Sequence, residues 1–549
     1  MTYYTTKSDF SVATSVSIPS QQPERTRINP WLLAATVPLA AFMELLDTTI
    51  VNVAVEHIAG DLSASIDEAT YVLTSYLVAN VIVLPLSGYL TGLLGRKNYY
   101  LWSVVVFTVA SALCGFAPSL GLLVFFRVIQ GLGGGGLQPV SQAILIDSFP
   151  AERRSTAQVV FSVVSVVAPA LGPTLGGWLT DNYSWRWVFL VNIPIGILAF
   201  VLNSRLLEDP PQLARFSLRE RKFDFVGLTL LAIGLGCMQV VLDRGQIDDW
   251  FGSTFITVFT VLSISALVGF IWWELRFPHP VVDLRLFGNG RFALSVLAML
   301  MMGFVFYAAN YLQPLFCQQM LGWTATLAGM ALSPGAIVFV AIMPIMPGLI
   351  KRVTPRYMVL FGFVVHGLAC LVMVHWDLQV PFAWVLESRI FEVVGLAFLI
   401  VPINVMAFGF LAKEKVTSGS GILSLARNLG ASVGVSVAST LLARRLQVHQ
   451  NMLVSHFTAG DEAYRNTVGA TAAYFQLHGF SKPDSVPAAV AFVGRQLYQQ
   501  ASMLSYIDAF YVLAIGSFLA APIPLLVRRA KSQSAGPSLK EQLEGASAH

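Results

Sequence analysis

Two carboxylates interrupt the first long apolar segment of the chain, at Glu44 and Asp47. An ionised acid at membrane depth costs about 3 kcal/mol or more, so it is usually retained where it has a partner or lines a water-filled path. The two acids are three residues apart and therefore share one face of a helix. Thr48, Asn52 and Glu56 extend this polar face from Glu44 in steps of four. The stripe predicts a helix that lines a water-filled path and moves or senses protons.

A third ionised group within an apolar segment is Arg127. Its guanidinium requires hydrogen-bonding partners at that depth. Backbone carbonyls or ordered waters near the outer end of its helix would be sufficient for a purely structural arginine.

The elements that must position these groups are membrane helices. The chain has 549 residues, of which 55% are hydrophobic and 12% are charged, whereas a soluble domain carries about 25% charged residues. Residues 1–30 lack the features of a cleaved signal peptide, so the first apolar segment is expected to be retained in the membrane. The four cysteines are scattered and form no CxxC pair, so no disulfide framework and no metal site is expected.

The apolar segments predict fourteen spans, because about 20 helical residues cross a bilayer. We place these spans at residues 31–55, 70–91, 99–117, 119–146, 157–180, 187–206, 223–242, 254–273, 292–315, 325–349, 357–375, 382–410, 417–441 and 506–527.

The positions of Lys and Arg predict the orientation. With both termini in the cytoplasm, the cytoplasmic segments hold 24 of the 34 Lys and Arg residues, while the short outer loops hold only Arg186 and Arg244. This asymmetry follows the positive-inside rule. The long outer loop ends in a segment with amphipathic helical spacing, which is either a solvated cap or a docking surface for a partner. Asp508 is expected at the outer N-terminus of span 14, where the helix dipole favours an acid.

Two features recur about 260 residues apart. Arg127 and Arg389 are separated by 262 residues, and Gly88 and Gly348 by 260. This offset predicts two six-helix halves, with spans 7 and 8 inserted between them. The predicted organisation is a cytoplasmic tail at 1–30, a first half at 31–206, a linker with the inserted helices at 207–273, a second half at 274–527 that includes a periplasmic loop at 442–505, and a cytoplasmic tail at 528–549.

The acids of span 1 have no copy at this offset, since the residue 260 positions after Asp47 is Tyr307. Proton chemistry is therefore expected in the first half. In the second half, Arg389 and Glu392 are one helical turn apart and are expected to pair with each other. His366 is expected to be a core histidine with satisfied hydrogen bonds.

The chain resembles the fourteen-span drug/proton antiporters of the EmrB/QacA type within the major facilitator superfamily, and is most similar to the EmrB branch. The resemblance covers about residues 31–530. The stretches that carry it are LDTTIVNVAV at 46–55, GYLTGLLGRK at 88–97, RVIQGLGGGG at 127–136, APALGPTLGG at 168–177, WRWVFLVNIPIG at 185–196 and LDRGQIDDW at 242–250. It implies an all-α polytopic membrane protein with the major facilitator fold, in the bacterial inner membrane.

The resemblance also implies roles for individual residues. Asp47 and Arg127 would exchange the coupling proton, and Glu44 would be a second proton site or would recognise cationic substrates. Helix packing and conformational change would depend on Gly88, Gly95, Arg96, Lys97, Gly131, Gly172, Pro173, Gly176 and Gly177. A substrate cavity, predicted with less support, would include Asn52, Gln130, Tyr307, Asn310 and Arg427.

The function predicted from these observations is proton-coupled efflux of hydrophobic or amphipathic drugs. The alternatives are a dedicated metabolite exporter with the same fold and a non-transporting sensor or channel. An enzyme is disfavoured, because no catalytic set of His, Ser, Cys or metal ligands is clustered in the sequence. We expect no cofactor, since the proton gradient would supply the energy, and no nucleic-acid partner. The similarity to the EmrB branch implies a periplasmic membrane-fusion adaptor and an outer-membrane channel as partners.

Overall fold

The computed structural model describes residues 29–526, apart from 151–152, 210–223, 279, 410, 413–414, 456 and 458–460. The predicted tails and much of the linker after span 6 lie outside these residues. Throughout the described part the regular secondary structure is helical, with no β-strand.

Fourteen helices in the described part are long and apolar enough to cross a membrane, as the sequence predicted. Numbered as spans 1 to 14, they are Pro30–Asp61, Tyr71–Leu94, Arg96–Gly115, Leu120–Ser148, Arg154–Asn182, Trp187–Leu206, Phe225–Arg244, Thr254–Arg276, Gly290–Gln319, Thr326–Arg352, Pro355–Met373, Phe382–Phe408, Val416–Val454 and Lys482–Leu526.

Helix packing in the second half repeats that of the first. Span 1 packs on span 5 and span 9 on span 13, while span 3 packs on span 4 and span 11 on span 12. Spans 3 and 6 and spans 11 and 14 are likewise neighbours. The inserted spans 7 and 8 pack on each other, and span 7 also contacts spans 2 and 13. The fold is therefore the expected pair of six-helix halves with a helical hairpin beside the seam between them.

Spans 13 and 14 extend further than the hydropathy predicted. Val416–Val454 and Lys482–Ala520 each contain 39 residues, which corresponds to about 58 Å of helix, against a hydrocarbon core of about 30 Å. Between them lies a further helix, Glu462–Leu477, which packs on the helix of span 14. We call this helix, together with residues 442–454 of span 13 and 482–505 of span 14, the outer projection.

The expectation for Asp508 was wrong, because the helix that carries it begins 26 residues earlier, at Lys482. Asp508 therefore lies in the interior of its helix, away from the N-terminus of that helix. Its charge is compensated instead by Arg445 Nε, at 2.5 Å, and by His449 Nε2, at 2.6 Å, both from span 13.

Several of the predicted motif glycines lie where helices approach closely. A Cβ on Gly176 would lie 2.7 Å from the backbone oxygen of Ile50, and one on Gly172 would overlap the side chain of Thr49. A Cβ on Gly131 would lie 2.8 Å from that of Ala79. Helices in lipid associate through such small residues, because packing replaces the hydrophobic driving force available in water.

Gly177 and Pro173 do not have the predicted close-packing role. A third motif residue, Gly95, lies in the connection between two spans. A Cβ on Gly177 would meet only Val53, at an ordinary 3.8 Å, and Pro173 is exposed. Gly95 separates spans 2 and 3 and has a φ of 83°. Only glycine adopts that left-handed conformation without strain.

Candidate functional site

Asp47 lies at the centre of a buried polar cluster formed by spans 1, 4 and 6. Its Oδ2 accepts from Arg127 Nη1 at 2.5 Å, and its Oδ1 accepts from Gln130 Nε2 at 2.9 Å and from Asn192 Nδ2 at 2.8 Å. Arg127 Nε donates to the backbone oxygen of Val72 at 3.0 Å. The side chains of Asp47 and Arg127 are 0% and 1% exposed, so water does not screen this ion pair.

The groups that face Asp47 are all hydrogen-bond donors. A guanidinium has donors only, and Gln130 Oε1 accepts from Arg127 Nη1 at 2.9 Å. The NH2 of Gln130 must therefore be the group that faces Asp47. Neither carboxylate oxygen faces an acceptor, so the site offers Asp47 hydrogen-bond donors only.

Glu44 is also buried, but it contacts different helices. Its Oε1 accepts from Tyr76 Oη at 3.3 Å and from Asn80 Nδ2 at 3.0 Å, both on span 2, and its Oε2 accepts from Gln138 Nε2 at 2.5 Å. The Tyr76 ring lies under the Arg127 guanidinium, 4.1 Å from its Cζ. The two acids are therefore not the start of a water-lined stripe, and their clusters are joined through the ring of Tyr76.

A chain of hydrogen bonds connects Glu44 to the other half of the molecule. Arg427 Nη2 on span 13 donates to Gln138 Oε1, and the NH2 of Gln138 donates to Glu44. The orientation of the Gln138 amide is determined, because Arg427 has no acceptor to offer. Glu44 and Arg427 thus compensate each other's charge across the interface between the halves, through one glutamine.

Further contacts between the halves lie where one end of span 2 meets one end of span 13, close to Arg96. We call this region the basic end. Arg96 forms an ion pair with Asp147 Oδ2 of its own half at 2.5 Å, and it donates across the interface to Thr417 Oγ1 at 3.4 Å. Ser420 Oγ donates to Gln142 Oε1 at 2.5 Å. Lys97 differs from Arg96, since its resolved contact is made by the backbone, whose N donates to Asp209 Oδ1 at 2.8 Å.

Glycines allow the halves to meet at the basic end. A Cβ on Gly88 of span 2 would overlap Ser418, and one on Gly421 of span 13 would lie 2.5 Å from the backbone oxygen of Leu84. On the other side of Asp47, span 1 has exposed side chains at Asn52 and Glu56. The halves are therefore joined at the basic end in this conformation, and span 1 presents exposed polar groups toward the opposite end.

Three of the predicted cavity residues have hydrogen-bonding partners within the protein. Gln130 is fully buried and belongs to the Asp47 cluster, and Arg427 is bonded to Gln138. Asn310 Oδ1 accepts from Arg389 Nη2 at 2.9 Å. Asn52 is exposed, and Tyr307 is half-buried on span 9. The sequence could not separate these groups, since a polar residue in an apolar helix is compatible with either a cavity or a buried partner.

Sequence reasoning missed the neutral members of the site. These residues share a polar amide, hydroxyl or phenol within an apolar span, which is the signal that could have identified them. They are Tyr76, Asn80, Ser111, Gln138, Gln142 and Asn192. Within the described part of the chain, no group of three or more His, Cys, Asp or Glu residues is placed to hold a metal ion.

Comparison with known proteins places this arrangement in a family context. A family profile described as Major Facilitator Superfamily matches residues 38–435. The chain is 33% identical to the multidrug export protein EmrB of Escherichia coli K12 over 493 residues, which is 89% of this chain and 93% of that protein. It is also 33% identical to the fatty acid resistance protein FarB of Neisseria gonorrhoeae, over 89% of this chain and 94% of that one.

Among solved structures, the proton:xylose symporter XylE has a similar fold, with a TM-score of 0.58. The match covers 91% of this chain and 95% of XylE at 14% sequence identity. At that identity the similarity concerns the fold.

Proposed function

The chain belongs to the major facilitator superfamily, and we propose that it exports hydrophobic or amphipathic toxic compounds across the bacterial inner membrane in exchange for protons. Family membership makes it a multi-pass membrane transporter rather than an enzyme. The names of its relatives, a multidrug export protein and a fatty acid resistance protein, support the substrate class.

The buried Asp47–Arg127 pair is the observation that supports the proton as the coupling ion. The carboxylate and the guanidinium are buried and 2.5 Å apart, and in our proposal the pair alternates between two states. In one state Asp47 is ionised and bonded to Arg127, and in the other it is protonated and Arg127 bonds elsewhere. A proton carried in this way needs no cofactor, and the gradient supplies the energy.

The conformation supports a direction for the cycle. We take the basic end as cytoplasmic, because the Lys and Arg residues of the short loops are concentrated there. The halves meet at that end, so a central cavity would open toward the periplasm, past Asn52 and Glu56. Asp47 takes up its proton in this outward-facing state. Rocking of the halves then opens the cytoplasmic side. There the proton is released and the drug enters.

A transport assay tests the proposal. The purified protein is reconstituted in liposomes, a pH gradient is imposed, and fluxes of an amphipathic cationic dye and of protons are measured together. Opposite fluxes that stop when a protonophore dissipates the gradient are expected. Absence of dye flux would favour the sensor or channel alternative. A substrate panel in a pump-deficient strain separates multidrug efflux from export of one metabolite, for which a single compound would be moved.

We infer that the outer projection is where a periplasmic adaptor docks. Its exposed apolar side chains include Met452, Tyr474 and Leu477, which are 59%, 57% and 85% exposed. Exposed apolar surface of this kind is typical of interaction sites. We expect Leu477→Lys to abolish co-purification with the adaptor while leaving transport in liposomes unchanged. Unchanged co-purification would favour the solvated cap.

The role of Glu44 is tested by Glu44→Gln. The NH2 of the new amide would face the NH2 donor of either Asn80 or Gln138, where no hydrogen bond can form. The hydrogen-bond chain through Gln138 to Arg427 would therefore lose a charge-assisted hydrogen bond, worth about 1.5–3 kcal/mol. Because Glu44 is buried behind that link, we expect export of cationic and neutral substrates to fall equally, by about tenfold. The measurement is initial efflux rate for a matched cationic and neutral pair. Selective loss of the cationic substrate would instead assign Glu44 to substrate recognition.

A further inference from the structure

The second half contains a cluster that mirrors the Asp47 site with acid and amide exchanged. Arg127 and Gln130 on span 4 correspond to Arg389 and Glu392 on span 12, each pair three residues apart and both at an offset of 262. Arg389 Nη1 donates to Glu392 Oε2 at 3.0 Å. Where Arg127 binds the acid of span 1, Arg389 binds an amide of span 9, that of Asn310. The predicted pairing of Arg389 with Glu392 is confirmed, and it places a buried carboxylate on the fourth helix of the second half.

Glu392 differs from Asp47 in having one oxygen without a donor. Its Oε2 accepts from Arg389 and from Gln313 Nε2, while its Oε1 has no hydrogen-bond partner among the described residues. That oxygen lies 3.9 Å from His366 Nε2, which also lacks a partner there. Both side chains are 0% exposed. His366 is therefore not the satisfied core histidine expected from the sequence.

The hydrogen bonds of Ser517 favour one tautomer of His366. Ser517 Oγ donates its one hydrogen to the backbone oxygen of Leu513 at 2.8 Å, so it can only accept from His366 Nδ1, 2.9 Å away. Neutral His366 is then protonated at Nδ1 and has a bare lone pair at Nε2. Two acceptors, Nε2 and Glu392 Oε1, face each other without a hydrogen between them.

We propose that His366 and Glu392 form a second proton-binding site, in which one proton binds between His366 Nε2 and Glu392 Oε1. The proposal extends the proposed function by adding a coupling proton in the second half. A small side-chain rotation closes the 3.9 Å separation to a normal hydrogen bond of about 2.8 Å. The bound proton gives an imidazolium that donates to Oε1, while Ser517 continues to accept from Nδ1.

The surroundings of this site come from four helices and contain few other charges. The charged or titratable groups that face His366 within the described structure are Glu392 and Arg389 on span 12 and the thiol of Cys370, whose Sγ lies 3.7 Å from Nδ1. Spans 9 and 14 contribute the neutral Gln313 and Ser517. Arg389 is 12% exposed, whereas Glu392 behind it is fully buried. Arg389 thus separates the site from solvent, and its movement would open a route for the proton.

Proton binding is tested without transport, on the full-length protein in lipid nanodiscs. Histidine side chains are labelled and their NMR signals followed from about pH 5 to pH 8. The His366 signal is identified by its absence in His366→Asn. We expect it to titrate in this range, and we expect the isosteric Glu392→Gln to move its midpoint by about one pH unit or more, a tenfold change in proton affinity. No titration, or a midpoint unchanged in Glu392→Gln, would overturn the proposal.

Stoichiometry provides a second test, with a matched histidine as control. Protons moved per substrate are counted in liposomes for wild type, His366→Gln and His375→Gln. His375 lies at the exposed end of span 11, with its Nδ1 at 3.0 Å from the backbone oxygen of Leu371. We expect His366→Gln to reduce the ratio by about one proton and His375→Gln to leave it unchanged. An unchanged ratio in His366→Gln beside a functioning exporter contradicts the second site alone, whereas absence of any proton flux in wild type contradicts the proposed function.

Discussion

Replacing Asp47 by Asn is expected to reduce substrate-driven proton flux to the level of protein-free liposomes. The substitution keeps the shape of the side chain but removes the proton exchange between Asp47 and Arg127 on which the proposed cycle depends, so a proton bound in the second half cannot drive transport by itself. It also leaves Arg127 as a buried charge without its counter-ion, which costs about 3–5 kcal/mol of stability. The measurement is proton movement on addition of substrate, in the reconstituted protein.

Two variants separate the coupling role of Asp47 from its structural role. The double variant Asp47→Asn with Arg127→Gln removes both charges, so we expect it to recover thermal stability without recovering proton flux. Asp61→Asn is the matched control on the same helix, because Asp61 forms an exposed pair with Arg186 at 2.9 Å. Such pairs contribute about 0–1 kcal/mol, and this variant should transport normally. Wild-type coupling in Asp47→Asn would remove Asp47 from the mechanism.

Replacing Gly88 by Val is expected to trap the transporter with its cytoplasmic side open and to abolish export. The nearest obstruction to a new side chain is Ser418, whose Cα and Cβ would lie 2.8 Å from the added Cβ. Ser418 belongs to the opposite half, so the clash penalises closure of the basic end rather than folding of either half. Overpacking of about 3 kcal/mol would reduce the population of the closed state roughly 100-fold.

Cysteine labelling measures this population directly. In a background with Cys237→Ser, an Asn52→Cys substitution reports access from the periplasmic side, since Asn52 is exposed and the other native cysteines are buried. Labelling by an impermeant maleimide should fall in Gly88→Val. Gly348→Val is the control, because Gly348 occupies the corresponding position in the second half and a Cβ there would meet no atom within 4 Å. Equal labelling in Gly88→Val and Gly348→Val would show that Gly88 does not limit closure.

The two acids of span 1 show where sequence reasoning reached its limit. Their spacing predicted a shared face, and the cost of burying charge predicted partners. A separation of three residues leaves the two side chains about 60° apart around the helix, which is enough for each to reach different neighbours. Asp47 meets Arg127 and Asn192, while Glu44 meets Asn80 and Gln138. The prediction of a water-lined stripe was wrong at Glu44, because buried amides rather than water form the hydrogen bonds of its carboxylate.

The second half shows the same limit in another form. The repeat offset related Arg127 to Arg389 correctly, but a search for a copied acid at the position of Asp47 found only Tyr307. In the second half the acid, Glu392, lies on span 12, and an amide, Asn310, lies on span 9. The spacing of Arg389 and Glu392 predicted their pairing, but it did not reveal that the acid and the amide occupy exchanged helices relative to the Asp47 site, because that depends on which helices pack together.

The sequence by itself determined that the chain is a fourteen-span membrane transporter, because hydropathy, the distribution of Lys and Arg and the repeat offset are properties of the linear chain. It also determined that Asp47 and Arg127 require partners, because the cost of burying a charge depends only on depth. The tertiary structure decided which partners they take, since those contacts join residues 80 or more positions apart. It likewise decided that Glu44 is linked to Arg427 across the two halves and that His366 faces Glu392. These pairings depend on how helices rotate and approach one another, and no local pattern in a single helix specifies that geometry.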